Sequence, residues 1–401
     1  MSIKPKLILP FVLFYSLICG AQVIAIENGP DIQEKLQEAL ILAKPGDTIR
    51  LGEGFYSFSD GLSLDVDEVK VVGAGMDKTV LSFAEQQSGA QGLLVTSSKV
   101  ILKDFAIEDA KGDALKVIGA DGIYMVNIRT EWTGGPKSTN GAYGLYPVES
   151  KDVLIDGCVA IGASDAGIYV GQSENIIVRN SRAHYNVAGI EIENSYYADV
   201  YDNVASHNTG GILVFDLPDL PQQGGHHVRV FRNKAVDNDT DNFAPEGNIV
   251  GTVPAGSGLM VLANDNIEVF DNTFADNNSA NVLILSYYIT ERAFEDENYD
   301  PFPESINVHN NKFDGGGTEP DSEPLIALQA ITGQPIPDIV WDGAMIPNQQ
   351  ANKVLCMRRN GEIGFVNLDA GNGFVNPNFD SEVHNCEFPS LSEISLSLGI
   401  E

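Results

Sequence analysis

The sequence predicts an all-β solenoid, a parallel β-helix of about ten coils with a capping helix at its N-terminal end and a cap at its C-terminal end. The first observation is a spacing. Small-residue-plus-aliphatic pairs recur at Gly92-Leu93, Ala114-Leu115, Gly144-Leu145, Gly167-Ile168, Gly189-Ile190, Gly211-Ile212 and Gly258-Leu259, and most intervals are 22 or 23 residues. A fixed period in the twenties, built from short aliphatic runs with Asn and Gly between them, is what one β-coil per repeat produces. The second observation is independent of the first. The pattern Asn-x-Ala/Phe-x-x-Asn appears at Asn203-Ala205-Asn208, Asn233-Ala235-Asn238 and Asn272-Phe274-Asn277, with Ser181-Ala183-Asn186 as a variant and Asn311-Lys312-Phe313 as a truncated echo. Stacked coils superpose these side chains, whose amides can hydrogen-bond along the axis, and Asn tolerates the left-handed backbone of a sharp corner. They are structural ladders on this reading, not ligands.

Taken in order, residues 1–21 read as a secretory signal peptide, because Lys4 and Lys6 precede an apolar run from Leu7 to Ile18 and a small-residue site at Cys19-Gly20-Ala21. Cys19 raises a lipoprotein alternative that Ile18 disfavours, so the expected location is the periplasm or the extracellular space. Residues 22–46 hold the N-terminal cap, an amphipathic helix over 31–44. Asp31 is its N-cap, Glu34 completes a capping box, and Ile32, Leu36, Ala39, Leu40 and Ala43 share one face before Pro45-Gly46 ends it. Such a helix covers the open apolar end of a solenoid. The coils occupy 47–345, and 346–401 form the second cap. No other segment approaches the roughly 18 uninterrupted apolar residues of a membrane helix, so no membrane insertion is expected after signal cleavage.

The 401 residues carry a formal charge of −32, which becomes −34 without Lys4 and Lys6. Such a chain repels nucleic acid and anionic membrane, and it repels bare polyuronates unless a divalent cation bridges the carboxylates. Cys356 and Cys386 lie in the non-repetitive tail and are placed to pair in an oxidising compartment. Cys158, in the aliphatic stretch from Val153 to Ile161, reads as a buried small hydrophobe.

Extra residues break the period at about 129–141, 216–227, 238–256 and 286–303. Two of these insertions follow the Gly-aliphatic strand and two precede it, an arrangement that builds walls along a groove.

The runs Gly144-Leu145-Tyr146-Pro147-Val148, Ser164-Asp165-Ala166-Gly167-Ile168-Tyr169-Val170-Gly171-Gln172-Ser173, Gly189-Ile190-Glu191-Ile192-Glu193-Asn194 and Gly210-Gly211-Ile212-Leu213-Val214-Phe215-Asp216 resemble a secreted family of right-handed parallel β-helix repeat proteins. The resemblance spans about residues 30–390 and implies the fold of pectin and pectate lyases. More distantly, the repeats are similar to those of carbohydrate-acting β-helices and of periplasmic accessory proteins of the NosD type. The Asp-Pro-His-Asp signature of mannuronan epimerases is missing, as are the Asn-Thr-Asp, Asp-Asp and Gly-His-Gly motifs of polygalacturonases. No catalytic set carries over residue by residue.

Side chains alternate along a strand, so the residue after each aliphatic faces outward. The outward column is then Lys116, Tyr146, Tyr169, Glu191, Leu213, Met260 and Leu283, with Gly171, Glu193, Phe215, Leu262 and Leu285 two residues on. Tyr146, Tyr169, Phe215 and Asp216 are the expected substrate-binding residues, because aromatic faces suit sugar rings and carboxylates accept hydroxyl hydrogen bonds. Catalytic candidates are Glu191 and Glu193, about 6.6 Å apart from two strand rises, with Tyr169. Tyr185 and His207, just before the corner Asn, are a second candidate pair for proton abstraction beside a sugar carboxylate. Asp237, Asp239 and Asp241 form an Asp-x-Asp-x-Asp run that could order around Ca²⁺, although the EF-hand glycine and terminal Glu are missing. The adjacent His226-His227 lacks partner ligands for a transition metal.

Two functions compete. In one, a secreted or periplasmic β-helix binds a polysaccharide or oligosaccharide in the groove and acts on it as a lyase, epimerase or hydrolase. In the other, a non-catalytic envelope scaffold binds a partner protein through exposed Leu213, Phe215, Met260, Leu262, Leu283 and Leu285, unless Tyr287, Tyr288, Phe294 and Phe302 of the 286–303 insertion cover them.

Overall fold

A computed structural model describes residues 20–396; the expected signal peptide falls almost entirely outside them. The chain winds as a right-handed parallel β-helix of about 13 turns, somewhat more than the period suggests. The difference arises at the ends, where turns lack the Gly-aliphatic signature. Val23–Ile26 already pairs in parallel with Thr48–Leu51, ahead of the cap helix. Beyond residue 345, Leu355–Arg358 pairs with Ile306–His309 and Phe365–Asn367 with Ile339–Trp341.

A central coil has three strands, as in Glu174–Arg179, Arg182–His184 and Ala188–Glu193. The first two columns merge into one 20-stranded sheet, because Val100–Glu108 and Asp121–Glu131 run through the corner between them without a break. The third column is a separate 11-stranded sheet. The inner face of this third sheet stacks Ile168, Ile190, Ile212, Leu259 and Val282 in register, at about 4.8 Å per rung. These aliphatic columns, fully buried, are the core.

Two Asn ladders close the corners. In the first, Asn203 Nδ2 donates to Asn233 Oδ1 (3.0 Å), Asn233 to Asn272 (3.0 Å), Asn272 to Asn311 (3.0 Å) and Asn311 to Asn360 (3.2 Å). The second runs from Asn186 through Asn208 and Asn238 to Asn277. Each buried amide also donates to a main-chain carbonyl, as Asn233 does to Val200 (2.8 Å), so burial leaves nothing unpaired. The left-handed residue is not the ladder Asn but the one before it: Asp202, Arg232 and Asp271 at one corner, Tyr185, His207 and Asp237 at the other, all with φ between 51° and 58°. The Asn positions are thus selected by hydrogen bonding, and their predecessors carry the bend.

The N-terminal cap helix, α1 (Ile32–Leu42), buries Ile32, Leu36, Ala39 and Leu40 as the periodicity predicts. Asp31 occupies the N-cap, but its side chain makes no capping hydrogen bond. At the other end, α2 (Glu323–Thr332) lies over the outer face of the third sheet through Leu325 and Leu328. Cys356 and Cys386 are joined by a disulfide. Cys158 is buried, and desolvation pushes its thiol up to about 12. Among the described residues, no helix is long and apolar enough to cross a membrane.

Candidate functional site

The third sheet is buried on both faces from Ala166–Gly171 to Ala280–Leu285. Alternation does turn Tyr169, Glu191, Leu213, Met260 and Leu283 outward, in one register column. The insertions then fold over them. This face has two halves of opposite chemistry.

The first half gathers three tyrosines and three carboxylates. Tyr143 and Tyr146 lie one strand from Tyr169, with ring centroids 4.2 Å apart for Tyr143–Tyr146, 4.8 Å for Tyr143–Tyr169 and 5.0 Å for Tyr146–Tyr169. The Tyr169 hydroxyl donates to Glu193 Oε1 (2.6 Å), and Gln172 Nε2 donates to the same oxygen (3.1 Å). Tyr143 donates its hydroxyl to Asp165 Oδ2 (3.3 Å), as does Asn248 through Nδ2 (3.0 Å) from the 238–256 insertion. Lys116 lies over the Tyr146 ring (4.5 Å) and pairs with Asp113 (3.6 Å) at the half-exposed end of the cluster.

Glu191 stands apart from its neighbours: it is fully buried and neither carboxyl oxygen has a hydrogen-bond partner. Burial raises its pKa well above the usual carboxylate range, and the charges of Glu193 and Asp165 add to the rise. Asp165 and Glu193 are each pushed up to about 7, mainly by burial, although the donors around them oppose the shift. Desolvation likewise raises Tyr146 to about 12 and pushes Tyr143 and Tyr169 well above the usual phenol range. Near neutral pH the set therefore holds a protonated Glu191 beside two carboxyl groups, Asp165 and Glu193, whose donors favour the ionised form.

The second half is apolar. Leu213, Phe215, Met260, Leu262, Leu283 and Leu285 form one buried cluster with Tyr287 and Tyr299 of the 286–303 insertion, Val250 and Val253 of the 238–256 insertion, and Leu325 and Leu328 of α2. The exposed patch expected of a scaffold is therefore absent here, because the insertions and α2 cover it. Phe215 has no exposed surface and Asp216 is 2% exposed, its carboxylate accepting the Gly225 N–H (2.7 Å), so both are covered, as Glu191 is.

The other expected site residues lie at corners and in loops away from the third sheet's outer face. Tyr185 and His207 stack face to face at 5.3 Å on the outside of a corner, where their left-handed backbones point them. His207 Nδ1 lies 3.0 Å from Asp239 Oδ1. Asp237, Asp239 and Asp241 do not converge: among the described residues no three His, Cys, Asp or Glu side chains are grouped to hold a metal. The ladder residue Asn238 turns inward between Asp237 and Asp239 and splays them. His226 and His227 pack with Tyr196 and Tyr197 as an aromatic cluster.

Sequence reasoning missed Tyr143, Asp165 and Asn248. Tyr143 lies three residues before Tyr146, and Asp165 immediately precedes its strand, positions that the simple alternation of a strand does not mark. Asn248 lies in an insertion, which has no period.

The family model of the right-handed beta helix region matches residues 91–320. No curated protein sequence matches the chain. Among solved structures, the A-module of the mannuronan C-5 epimerase AlgE4 from Azotobacter vinelandii superposes at 16% identity with a TM-score of 0.54, covering 84% of this chain and 94% of that one. The AlgE6 A-module of the same organism gives 16% and 0.49, covering 84% and 91%. The DFA-IIIase of Arthrobacter chlorophenolicus A6 gives 11% and 0.49, covering 74% and 90%. At these identities the likeness is one of fold.

Proposed function

The chain belongs to the right-handed β-helix family, and from that premise we propose that it is a carbohydrate-active protein whose saccharide site is the Tyr143–Glu193 half of the third sheet. The observation that carries this reading is Glu191. A carboxyl buried without a partner destabilises the fold, and its neighbour Glu193, two residues along the same strand, is held by two donors. Environments that push two carboxyl groups apart assign an acid and a base. Glu191 is the acid, protonated at neutral pH, and Glu193, assisted by the Tyr169 hydroxyl, is the base.

Both groups project from one face of one strand, so they act on one side of a sugar ring. An inverting hydrolase needs its carboxyls on opposite sides of the bond. Proton transfer on a single side suits syn elimination from a uronic sugar, whereas epimerisation would need the proton returned from the opposite face. Glu193 would take the C5 proton next to the sugar carboxyl, and Glu191 would protonate the departing glycosidic oxygen as the C4–O bond breaks and the C4=C5 double bond forms. Lys116 is the cation at the open end and would meet the substrate carboxylate, with Tyr146 and Tyr143 against the ring. Asn248 and its insertion must move aside for Glu191 to meet substrate. The periplasmic or secreted location expected from residues 1–21 suits such a substrate.

The test is incubation with a panel of uronate and neutral polysaccharides. Ultraviolet absorbance of a new conjugated double bond reports elimination, proton NMR of the sugar reports epimerisation, and new reducing ends without absorbance report hydrolysis. Product from a uronate polymer that falls about 10²–10⁴-fold in Glu191→Gln supports the assignment. Product only as reducing ends from a neutral glycan, or no product and no binding from any polymer, would overturn it.

A further inference from the structure

The covering of the apolar half is not closed. Beside the buried cluster of Met260, Leu283, Leu285, Leu325 and Leu328, between α2 and the 286–303 insertion, opens a solvent-accessible cleft of about 1030 Å³. Small-molecule sites run from roughly 300 to 1,000 Å³, so this one is at the upper end. The cavity is separate from the saccharide half: the 238–256 insertion stands between them, touching Asp165 through Asn248 on one side and lining the cavity with Thr252 and Pro254 on the other.

Two further observations identify the ligand class. Exposed apolar residues gather at the mouth: the lining residues Ile331, Tyr288 and Phe374 are 78%, 54% and 39% exposed. In addition, Glu291 and Glu323 are the only ionisable acids on the lining, which has no Lys, Arg or His among the described residues. An apolar cleft excludes a saccharide, which would leave its hydroxyls unpaired. An acidic rim on a chain of net charge −32 repels an anionic head group. We propose that this cavity binds a single alkyl or acyl chain carrying a cationic head, with the chain lying between α2 and the 286–303 insertion and the head at Glu291 and Glu323.

The experiment titrates the full-length mature protein with alkyltrimethylammonium ions of increasing chain length, below their micelle concentrations, by calorimetry. Alkyl sulfates and alkyl glucosides of matched chain length serve as head-group comparisons. The expected result is saturable one-to-one binding that tightens about fourfold per added methylene, in the order cationic, neutral, anionic. Ala327→Trp, an exposed position on the lining of α2, should weaken binding more than tenfold without changing the fold's circular dichroism. Glu291→Gln with Glu323→Gln should remove the head-group preference and keep the chain-length dependence. Binding that is non-saturable, that ignores Ala327→Trp, or that favours the sulfates would overturn the proposal. So would a dimer at micromolar concentration whose dissociation is required for binding, because the cavity would then belong to a second copy.

Discussion

Glu191 and Leu213 are register partners on adjacent strands of the third sheet, both turned outward and both without exposed surface. One sits among carboxyl groups and tyrosines, the other in an aliphatic and aromatic cluster. The solenoid backbone treats the two rungs alike, since the inner columns and the Asn186–Asn208 ladder continue through them, with Ser181 standing in for Asn203 at the other corner. What differs is the covering. Over Leu213 the insertions and α2 bring apolar side chains that repay their own ordering by burying sheet surface. Over Glu191 the 238–256 insertion brings Asn248 to Asp165 and leaves both Glu191 oxygens without a donor. The lesson is that a uniform scaffold separates stability from chemistry: one half is covered by apolar side chains, and the other carries a group that packing alone would not retain.

The largest expected effect comes from making the halves alike in the wrong direction. Leu213→Glu puts a second unpartnered carboxyl beside Glu191 and should destabilise the protein by about 3–5 kcal/mol, seen as a lower denaturation midpoint or insoluble expression. Near-native stability would show that the apolar half is open to water and that the comparison is mistaken. Next, Asn272→Ala interrupts the corner ladder that runs beside the apolar half, from Asn203 to Asn360. It leaves the Asn233 amide without one of its acceptors and should cost about 2–3 kcal/mol, with no effect specific to saccharide.

The pH dependence separates the halves without mutation. Glu191 is raised, Asp165, Glu193 and Asp216 to about 7, and Asp265 to about 8, all chiefly by burial. The unfolded chain gives up these protons near pH 4, before the folded protein does. Their stabilisation is therefore complete below that pH and is lost as pH rises through about 7 to 8. The thermal midpoint should fall between pH 5 and pH 8, and Glu193→Gln should flatten the fall. A midpoint that rises over this window would contradict the assignment. The smallest effect belongs to Tyr146→Ala at the half-exposed edge: stability should change little, while saccharide binding measured by affinity electrophoresis weakens about fivefold to tenfold.

Much of this was legible in the sequence. The coil period located the third sheet, and strict alternation placed Tyr146, Tyr169, Glu191, Leu213 and Met260 on its outer side, because strand geometry has no freedom there. The covering was not legible. Insertions have no repeat, so nothing in 286–303 fixed Tyr287 and Tyr299 against Leu285, and nothing in 238–256 fixed Asn248 against Asp165. The same gap made Phe215 and Asp216 look accessible. The corner residues Tyr185 and His207 stack as their register predicted, but a left-handed backbone in register on successive coils aligns side chains whatever their chemistry, so the alignment by itself assigns no role.

The central claim is that Glu191 is kept for proton transfer at a cost in stability, and a single comparison of the natural protein with Glu191→Leu tests it. Both proteins would be unfolded thermally at pH 7 and assayed on the uronate panel under the same conditions. The variant should unfold several degrees higher, from a gain of about 1–3 kcal/mol, and should form no product. A lower midpoint with product formation unchanged would show instead that Glu191 is a structural residue and that the chemistry lies elsewhere.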